Sequence, residues 1–199
     1  VHTTNATDFV LRERNRIDFA SIYESDVSFC DIVDVINGRE KKGKLSQIAA
    51  IIDDDYISIS SRTAPGPADL NIIPDYDSLS VGEYSRLGEV GSYRSWLPSN
   101  SKSTSILTNR GCRARCSFCS VRNFNGKSVR ARSIKSVIDE IENLKKNYNI
   151  SHIAWIDDDL FFNQRRAIDL FNEMADRNLN ITWCASNGVI ASATAKSPD

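Results

Sequence analysis

The sequence has little histidine, little cysteine and no long apolar run, and each shortage excludes a class of protein. The two histidines are His2 and His152, and neither has ligand spacing to a cysteine cluster, which disfavours a Cys/His zinc site. Five cysteines in 199 residues are too sparse for a disulfide-stapled secreted domain and suit a reduced cytosolic protein. No apolar run approaches the roughly 20 residues that a bilayer-spanning helix needs.

The net charge is also close to zero, with a formal value of -1. This balance gives no electrostatic indication of a nucleic-acid or membrane partner. The chain starts at Val1 rather than at methionine and ends at Asp199 without an obvious closing element. We therefore expect a piece of a longer protein.

The most informative feature that is present is a CxxxCxxC cluster formed by Cys112, Cys116 and Cys119 in the segment TNRGCRARCSFCSVR. Three thiolates within eight residues can hold three corners of a cubic iron–sulfur cluster. No fourth cysteine lies nearby, so one iron would stay open for a ligand, whereas electron carriers usually close the site with four cysteines. A structural zinc site, which usually takes four ligands, is the main alternative and remains open.

The first half of the chain predicts a small mixed region followed by a linker. The pattern predicts a strand at Ile17–Tyr23, a helix at Asp26–Asn37 and a hairpin of Ile48–Ile52 with Tyr56–Ser60. Thr63–Tyr76 carries three prolines and a glycine, which indicates an irregular linker. A short helix is expected within Ser78–Gly91.

The second half alternates between strand and helix patterns. Strands are predicted at Ser105–Thr108, His152–Ile156 and Ile181–Ala185, with helices between them at Ser133–Tyr148 and Gln164–Asn178. A βαβαβ run of this spacing predicts a parallel sheet or barrel. In parallel barrels, functional groups collect at the carboxyl ends of strands. The cysteine loop and two polar segments, Asp157-Asp158-Asp159 and Ser186-Asn187, each follow one of these strands and should converge.

These features resemble the radical S-adenosylmethionine superfamily. A CxxxCxxC loop after the first strand of a βα barrel, with the aromatic Phe118 before the last cysteine, is similar to its cluster loop. The flanking segments RGCRARCSFCSVR, IDDDLFFNQRRAIDLF and ITWCASNGV resemble the cobalamin-binding subgroup. In the first half, Glu24-Ser25-Asp26 before a helix, and the segment IIPDYDSL, resemble the end of the cobalamin domain and the linker into the barrel.

The resemblance implies an α/β fold with two parts. It implies the N-terminal half of a partial (βα)6 TIM-like barrel, preceded by the C-terminal end of a Rossmann-like cobalamin-binding domain. The expected domains are a cobalamin-domain remnant at residues 1–62, a linker at 63–100 and the first three barrel strands within 101–199.

The resemblance also implies the cofactors and their contacts. Cys112, Cys116 and Cys119 would ligate a 4Fe-4S cluster, and the amino and carboxylate groups of S-adenosylmethionine would chelate its open iron. One electron would then cleave this cofactor to a 5′-deoxyadenosyl radical. Phe118, Asp157, Asp158 and Asn187 lie where family members contact S-adenosylmethionine. For the aspartates and the asparagine, barrel packing or helix capping is an open alternative.

The reaction expected from the resemblance is cobalamin-dependent methylation or a related radical reaction. The cobalamin motif DxHxxG is absent, and it would lie upstream of residue 1 in a longer protein. Alternatives are a methylthio-transferring or oxidative radical enzyme without cobalamin, and a non-catalytic zinc or iron–sulfur electron-transfer module. The expected partners are a small-molecule or lipid-like substrate and a reductant such as flavodoxin or ferredoxin.

Basic residues are concentrated around the cysteines. Between Asn109 and Arg132 there is no acidic residue, and there are seven basic ones: Arg110, Arg113, Arg115, Arg122, Lys127, Arg130 and Arg132. We expect them to place a positive field over an anionic cluster and over the cofactor carboxylate, with a solvated loop or an RNA contact as alternatives.

Overall fold

A computed structural model describes residues 4, 6–7, 11, 17–41, 45–52, 55–59, 61–87, 97–98 and 100–191. The chain divides into two compact units, which are treated separately below. Unit 1 comprises Val1–Asp69 and Ala114–Lys127, and unit 2 comprises Leu70–Arg113 and Ser128–Asp199. Within the ranges given above, no helix has the length and apolarity to cross a membrane.

The described elements are numbered along the chain. The strands are β1 Phe19–Ser21, β2 Ile48–Ile52, β3 Asp55–Ile59, β4 Ser103–Ile106, β5 Asn109–Arg110, β6 Arg130–Ala131, β7 His152–Trp155 and β8 Thr182–Ala185. The helices are α1 Asp26–Ile36, α2 Pro67–Leu70, α3 Val81–Leu87, α4 Val121–Phe124, α5 Ile134–Tyr148 and α6 Gln164–Asp176.

Unit 1 is built on a three-stranded sheet in the order β1-β2-β3. Both pairings are antiparallel, with Ala20 opposite Ala49 and Ile48 opposite Ile59. Two small apolar clusters stabilise this unit, one around Leu11, Ala20, Ile22 and Ala49, the other around Ile32, Leu45 and Ile48.

Unit 2 is built on a parallel sheet in the order β4-β7-β8, with α5 and α6 as the crossover helices. The central strand β7 is buried along its whole length, as expected when helices cover a parallel sheet. Its Trp155 joins a core that includes Ile138, Ile141 and Leu144 of α5 and Leu170 of α6. This sheet brings the carboxyl ends of three strands to one edge. The cysteine loop, the acidic segment and the turn with Asn187 each come after one of these ends.

Side-chain caps fix where the two crossover helices begin. Ser133 precedes α5 and accepts a hydrogen bond from the Ser136 amide, and Asn163 precedes α6 and accepts from the Arg166 amide. Each cap satisfies an amide that has no partner within the helix. At the other end of α5, Asn149 adopts a left-handed conformation with φ 57°, a common way to end a helix.

The predicted elements are found, with one shift and three omissions, one of which is helix α2 within the segment Thr63–Tyr76 that was predicted as an irregular linker. The strand predicted at Ser105–Thr108 lies two residues earlier, because Ser103 pairs with His152 and Ile106 with Trp155. Thr108 leaves the sheet since its amide binds the Asp157 carboxylate instead of a neighbouring strand. The β5–β6 ribbon and helix α4 were not predicted. Ser60 and residues 88–91, the ends of two predicted elements, lie outside the described residues.

The α/β class is confirmed, whereas the finer architecture remains a prediction. Three parallel strands joined by helices agree with the start of a barrel without defining its closure. The described strands of unit 1 pair antiparallel, while a Rossmann-like sheet is mostly parallel. The cobalamin-domain remnant and the three domain boundaries are therefore still predictions.

Candidate functional site

The carboxyl edge of the parallel sheet is closed by Asp157, the first residue of the acidic segment. Its carboxylate accepts hydrogen bonds from the Thr108 amide at 3.0 Å, the Thr108 hydroxyl at 2.6 Å and the Asn109 amide at 2.7 Å. Asp157 is only 1% exposed. The side chain thus ties the end of β7 to the chain leaving β4, three residues before Cys112.

Burial raises the pKa of Asp157 from 3.8 to about 6. The donors on Thr108 and Asn109 and the nearby Arg166 guanidinium oppose this rise, because each favours the carboxylate. This arrangement gives Asp157 a role in the fold, and its cofactor contact remains a prediction.

The next two aspartates bind the start of the cysteine loop. Asp158 is partly exposed, and its carboxylate accepts from the Gly111 amide at 3.3 Å. Asp159 is buried and pairs with the Arg113 guanidinium, with 3.0 Å between Nε and Oδ2. The acidic segment therefore contacts residues on both sides of Cys112, as the predicted convergence requires.

Asn187 lies in the turn after β8, at the same edge of the sheet. Its side-chain amide donates to the Ile156 carbonyl at 2.7 Å, although the residue is exposed overall. The bond links the segment after β8 to the segment after β7. Asn187 thus holds the turn, and whether it also contacts a cofactor is not tested by this geometry.

The cysteine loop presents its later residues to solvent. Cys116 and Cys119 are exposed, Cys112 is partly exposed, and none of the five cysteines is in a disulfide. The Cys119 amide donates to the Cys116 carbonyl at 3.2 Å, which forms a turn between them. Phe118, within that turn, is 90% exposed. A large apolar ring in water costs free energy, so this position suits a residue that a ligand covers.

The three thiols fit an iron–sulfur cluster by the chemistry of their donor atoms. Across the described residues, which include all three cysteines, no group of three or more His, Cys, Asp or Glu side chains is arranged to hold a metal ion. The three thiols are outside any disulfide and at least partly exposed, and their spacing in the sequence suits three corners of a cluster. Metal ligands often take their final arrangement only when the metal binds.

The predicted positive field is weaker than the residue count suggests. Arg132 is 8% exposed and pairs with Glu140, and Arg113 pairs with Asp159. Both acids come from outside the basic segment, so the sequence around the cysteines did not reveal them. Arg122 donates to the Ala114 carbonyl at 3.4 Å and is thereby engaged in the loop itself.

One residue that the sequence did not single out braces this edge of the sheet. Arg166, in the first turn of α6, donates to the Thr108 carbonyl at 3.2 Å and to the Arg132 carbonyl at 2.9 Å. Burial lowers the pKa of Arg166, opposed by the Asp157 charge. Adjacent arginines on a helix give no sequence signal that distinguishes the buried one from the exposed one.

The chain was compared with known proteins. No protein-family model matches it. A curated protein of Pyrococcus horikoshii, named an uncharacterized methyltransferase, is 31% identical over 193 residues, which cover 94% of the chain and 38% of that relative. The chain thus spans less than half the length of this relative.

Two solved structures share the fold. The cobalamin-dependent S-adenosylmethionine radical enzyme OxsB, with aqua-cobalamin and S-adenosylmethionine bound, matches with a TM-score of 0.70 and 18% identity, covering 92% of this chain and 24% of that one. The radical S-adenosylmethionine methyltransferase TsrM of Kitasatospora setae, with cobalamin and a [4Fe-4S] cluster bound, matches with a TM-score of 0.57 and 20% identity, covering 86% and 32%. The chain is therefore similar in sequence to a protein named a methyltransferase, and similar in fold to two radical S-adenosylmethionine enzymes whose structures contain cobalamin.

Proposed function

We propose that this chain carries the cluster-binding and S-adenosylmethionine-binding part of a radical methyltransferase. The observation that carries the proposal is the CxxxCxxC spacing of Cys112, Cys116 and Cys119, none of which is in a disulfide, in a loop that follows the carboxyl edge of a parallel sheet. Three thiolates leave one iron of a cubic cluster open, and an open iron can chelate S-adenosylmethionine. Methylation is favoured because the relative from P. horikoshii is named a methyltransferase and TsrM is named one as well.

The residues of the chain would bind and orient rather than react. The three cysteines would hold the cluster, and the exposed ring of Phe118 would cover the adenine region of the cofactor. Asp158 and Asn187 are both at least partly exposed, so they are the polar residues of this edge best placed to contact the cofactor. When bound, the reduced cluster supplies the electron that starts cleavage of S-adenosylmethionine.

Cobalamin and the remaining partners belong to the same proposal. OxsB and TsrM are named with cobalamin bound, so residues 1–62 would be the C-terminal remnant of a cobalamin-binding domain, with the binding motif outside this sequence. The substrate would be a small or lipid-like molecule, and the electron donor a flavodoxin or ferredoxin.

The proposal is tested by anaerobic reconstitution of the chain with iron and sulfide. The wild-type protein should bind about four irons per chain and show a broad visible absorbance that dithionite bleaches. Cys116→Ala should lose the cluster, because it removes one of three protein ligands.

Cys30→Ala is the matched control, since Cys30 lies in α1 and its thiol faces the Asp26 carbonyl of its own helix at 3.6 Å. This variant should reconstitute normally. A wild-type protein that binds zinc and never takes up iron would defeat the proposal and support a structural zinc module.

A further inference from the structure

We propose that Arg62 is a positioning residue that holds the second half of the cysteine loop, residues 116–126, in the conformation needed for cluster binding. This inference rests on the proposed function. All the contacts that support it lie within unit 1, which contains Arg62 and the segment Ala114–Lys127.

The guanidinium of Arg62 binds the end of the short helix that follows the last cysteine. Its Nη1 donates to the Asn123 carbonyl at 3.4 Å, and its Nη2 donates to the Phe124 carbonyl. The last carbonyls of a helix have no partner within the helix, so an external donor is what fixes them. Helix α4 begins two residues after Cys119, and holding its end therefore limits where Cys119 can lie.

A second contact brings the loop directly beneath the guanidinium. Gly126 has φ +88°, a backbone conformation that favours glycine. A Cβ built on Gly126 would lie 3.4 Å from the Arg62 Cζ, an ordinary van der Waals distance, so the guanidinium packs against this part of the loop. Arg62 thus contacts the loop at α4 and again just beyond it.

On its other side, Arg62 is held by Tyr23 and Glu24, in the segment between β1 and α1. The Glu24 carboxylate lies 3.8 Å from Nη2, and its side chain is only 2% exposed, against 28% for Arg62. The Arg62 guanidinium also lies 4.7 Å from the centroid of the Tyr23 ring, a cation–π distance. A partly buried pair of this kind is less screened by salt than a surface pair.

Gln47 joins the segment that contains Glu24 to the segment that contains Arg62 through two hydrogen bonds. It is fully buried, donates to the Glu24 carbonyl at 2.9 Å and accepts from the Thr63 amide at 2.6 Å. Gln47 and Tyr23 both have positive φ, 54° and 64°, which is strained for residues other than glycine. Strain of this kind persists where surrounding contacts over-determine the backbone, and here those contacts fix the position of Arg62.

Cys116 and Cys119 therefore lie on a segment whose far end is bound by Arg62, and Arg62 is in turn held by Tyr23 and Glu24. An iron–sulfur loop with exposed thiols loses conformational entropy when its ligands converge, and a prior restraint reduces that loss. Arg62 does not contact the thiols themselves, so its effect on a cluster would act through the loop backbone.

The test compares Arg62→Ala with Arg62→Lys and with a control, Arg39→Ala. Arg39 is another unit 1 arginine, whose side chain is 71% exposed and pairs with Asp34 at the surface. Lysine keeps the charge opposite Glu24 but cannot bind two carbonyls with a planar fork. The first measurement is amide hydrogen exchange of the 199-residue chain without iron.

In that measurement, Arg62→Ala should speed the exchange of amides in residues 119–126 by about tenfold, since hydrogen bonds from charged donors are strong. Arg62→Lys should lie between it and the wild type. Exchange in β4, β7 and β8 should not change, because the effect is local. Unchanged exchange in 119–126 would overturn the proposal.

The second measurement is iron bound per chain after reconstitution, with the electron paramagnetic resonance spectrum of the reduced clusters. Arg62→Ala should bind less than about half the iron of the wild type and give a broadened signal, because a loose loop holds the cluster in several arrangements. Arg62→Lys should recover part of both, and Arg39→Ala should match the wild type. Normal iron binding and an unaltered spectrum in Arg62→Ala would overturn the positioning role. If the wild type itself takes up no iron, the proposed function fails, while the exchange comparison still decides whether Arg62 restrains the loop.

Discussion

Gly111, the residue before Cys112, has no room for a side chain. Its φ is +98°, and a Cβ at this position would lie 2.3 Å from the Ser128 carbonyl oxygen. Because that oxygen belongs to the backbone, the clash cannot be relieved by a change of rotamer. The loop can leave the sheet at this point only because residue 111 is glycine.

We therefore expect Gly111→Ala to lower the free energy of unfolding by about 1–3 kcal/mol and to reduce iron binding. Gly82→Ala is the control, because Gly82 lies in helix α3 with nothing within 4 Å of the added Cβ. Alanine is the better helix former, so that variant should be unchanged or slightly more stable. Urea unfolding and iron analysis measure both effects, and equal behaviour of the two variants would contradict this account.

The titration of Asp157 should make the free energy of unfolding depend on pH. Its pKa is about 6 in the folded chain, against 3.8 as the ordinary value. The folded chain therefore holds this proton more tightly than the unfolded chain. The resulting stabilisation is complete below about pH 4 and is lost as the pH rises through about 6.

The substitution Asp157→Asn removes this titration, since asparagine keeps an acceptor oxygen but cannot ionise. Between pH 4 and pH 6.5, the unfolding free energy of the wild type should fall relative to the variant by about 2 kcal/mol, because most of the titration lies in this range and one pKa unit corresponds to about 1.4 kcal/mol. Chemical unfolding at several pH values measures the difference. A difference that does not depend on pH would rule out a buried carboxyl that titrates here.

At the scale of elements, Arg166 joins α6 to the chain on both sides of the cysteine loop. Its bonds to the carbonyls of Thr108 and Arg132 hold the residue before β5 close to the residue after β6. Arg165, its neighbour on the same helix, is 85% exposed and pairs with Asp169. The two arginines differ mainly in burial and partners.

Replacing Arg166 with alanine should destabilise the chain by about 2–3 kcal/mol, because two inward-facing carbonyls lose a charged donor. Arg165→Ala should cost less than about 0.5 kcal/mol, as is typical of exposed ion pairs. Thermal and urea unfolding of the two variants give the comparison. Similar losses of unfolding free energy in both variants would mean that the hydrogen bonds of Arg166 do not stabilise this edge of the sheet.

The strand and helix pattern of unit 2 could be read from the sequence because each element has a strong local signal. The all-apolar strand at His152 and the amphipathic repeat of α5 survive in the structure with boundaries changed by one or two residues. The β5–β6 ribbon could not be predicted, because Asn109 and Ala131 pair over a long separation and each strand has only two residues. The shift of β4 depends on a carboxylate, Asp157, that is distant in sequence.

At the scale of the whole molecule, the location of the candidate site could be predicted from the sequence, whereas its side-chain contacts could not. Parallel strands necessarily bring their following segments together, so the cysteine loop, the acidic segment and Asn187 could be grouped in advance. The ion pairs of Arg132, Arg113 and Arg62 depend on tertiary packing, so they could not be predicted. The chain spans only 38% of its P. horikoshii relative, so the activity of the whole protein remains a proposal.

The central claim is that the three cysteines hold a cluster with one iron open to S-adenosylmethionine. The most direct test is the electron paramagnetic resonance spectrum of the reconstituted and reduced chain, recorded with and without that cofactor. Binding through the open iron changes its ligand field, so the account predicts a shift of the g values when S-adenosylmethionine is added, and no cluster signal at all in Cys116→Ala. A cluster spectrum that S-adenosylmethionine leaves unchanged would contradict the claim and favour an electron carrier.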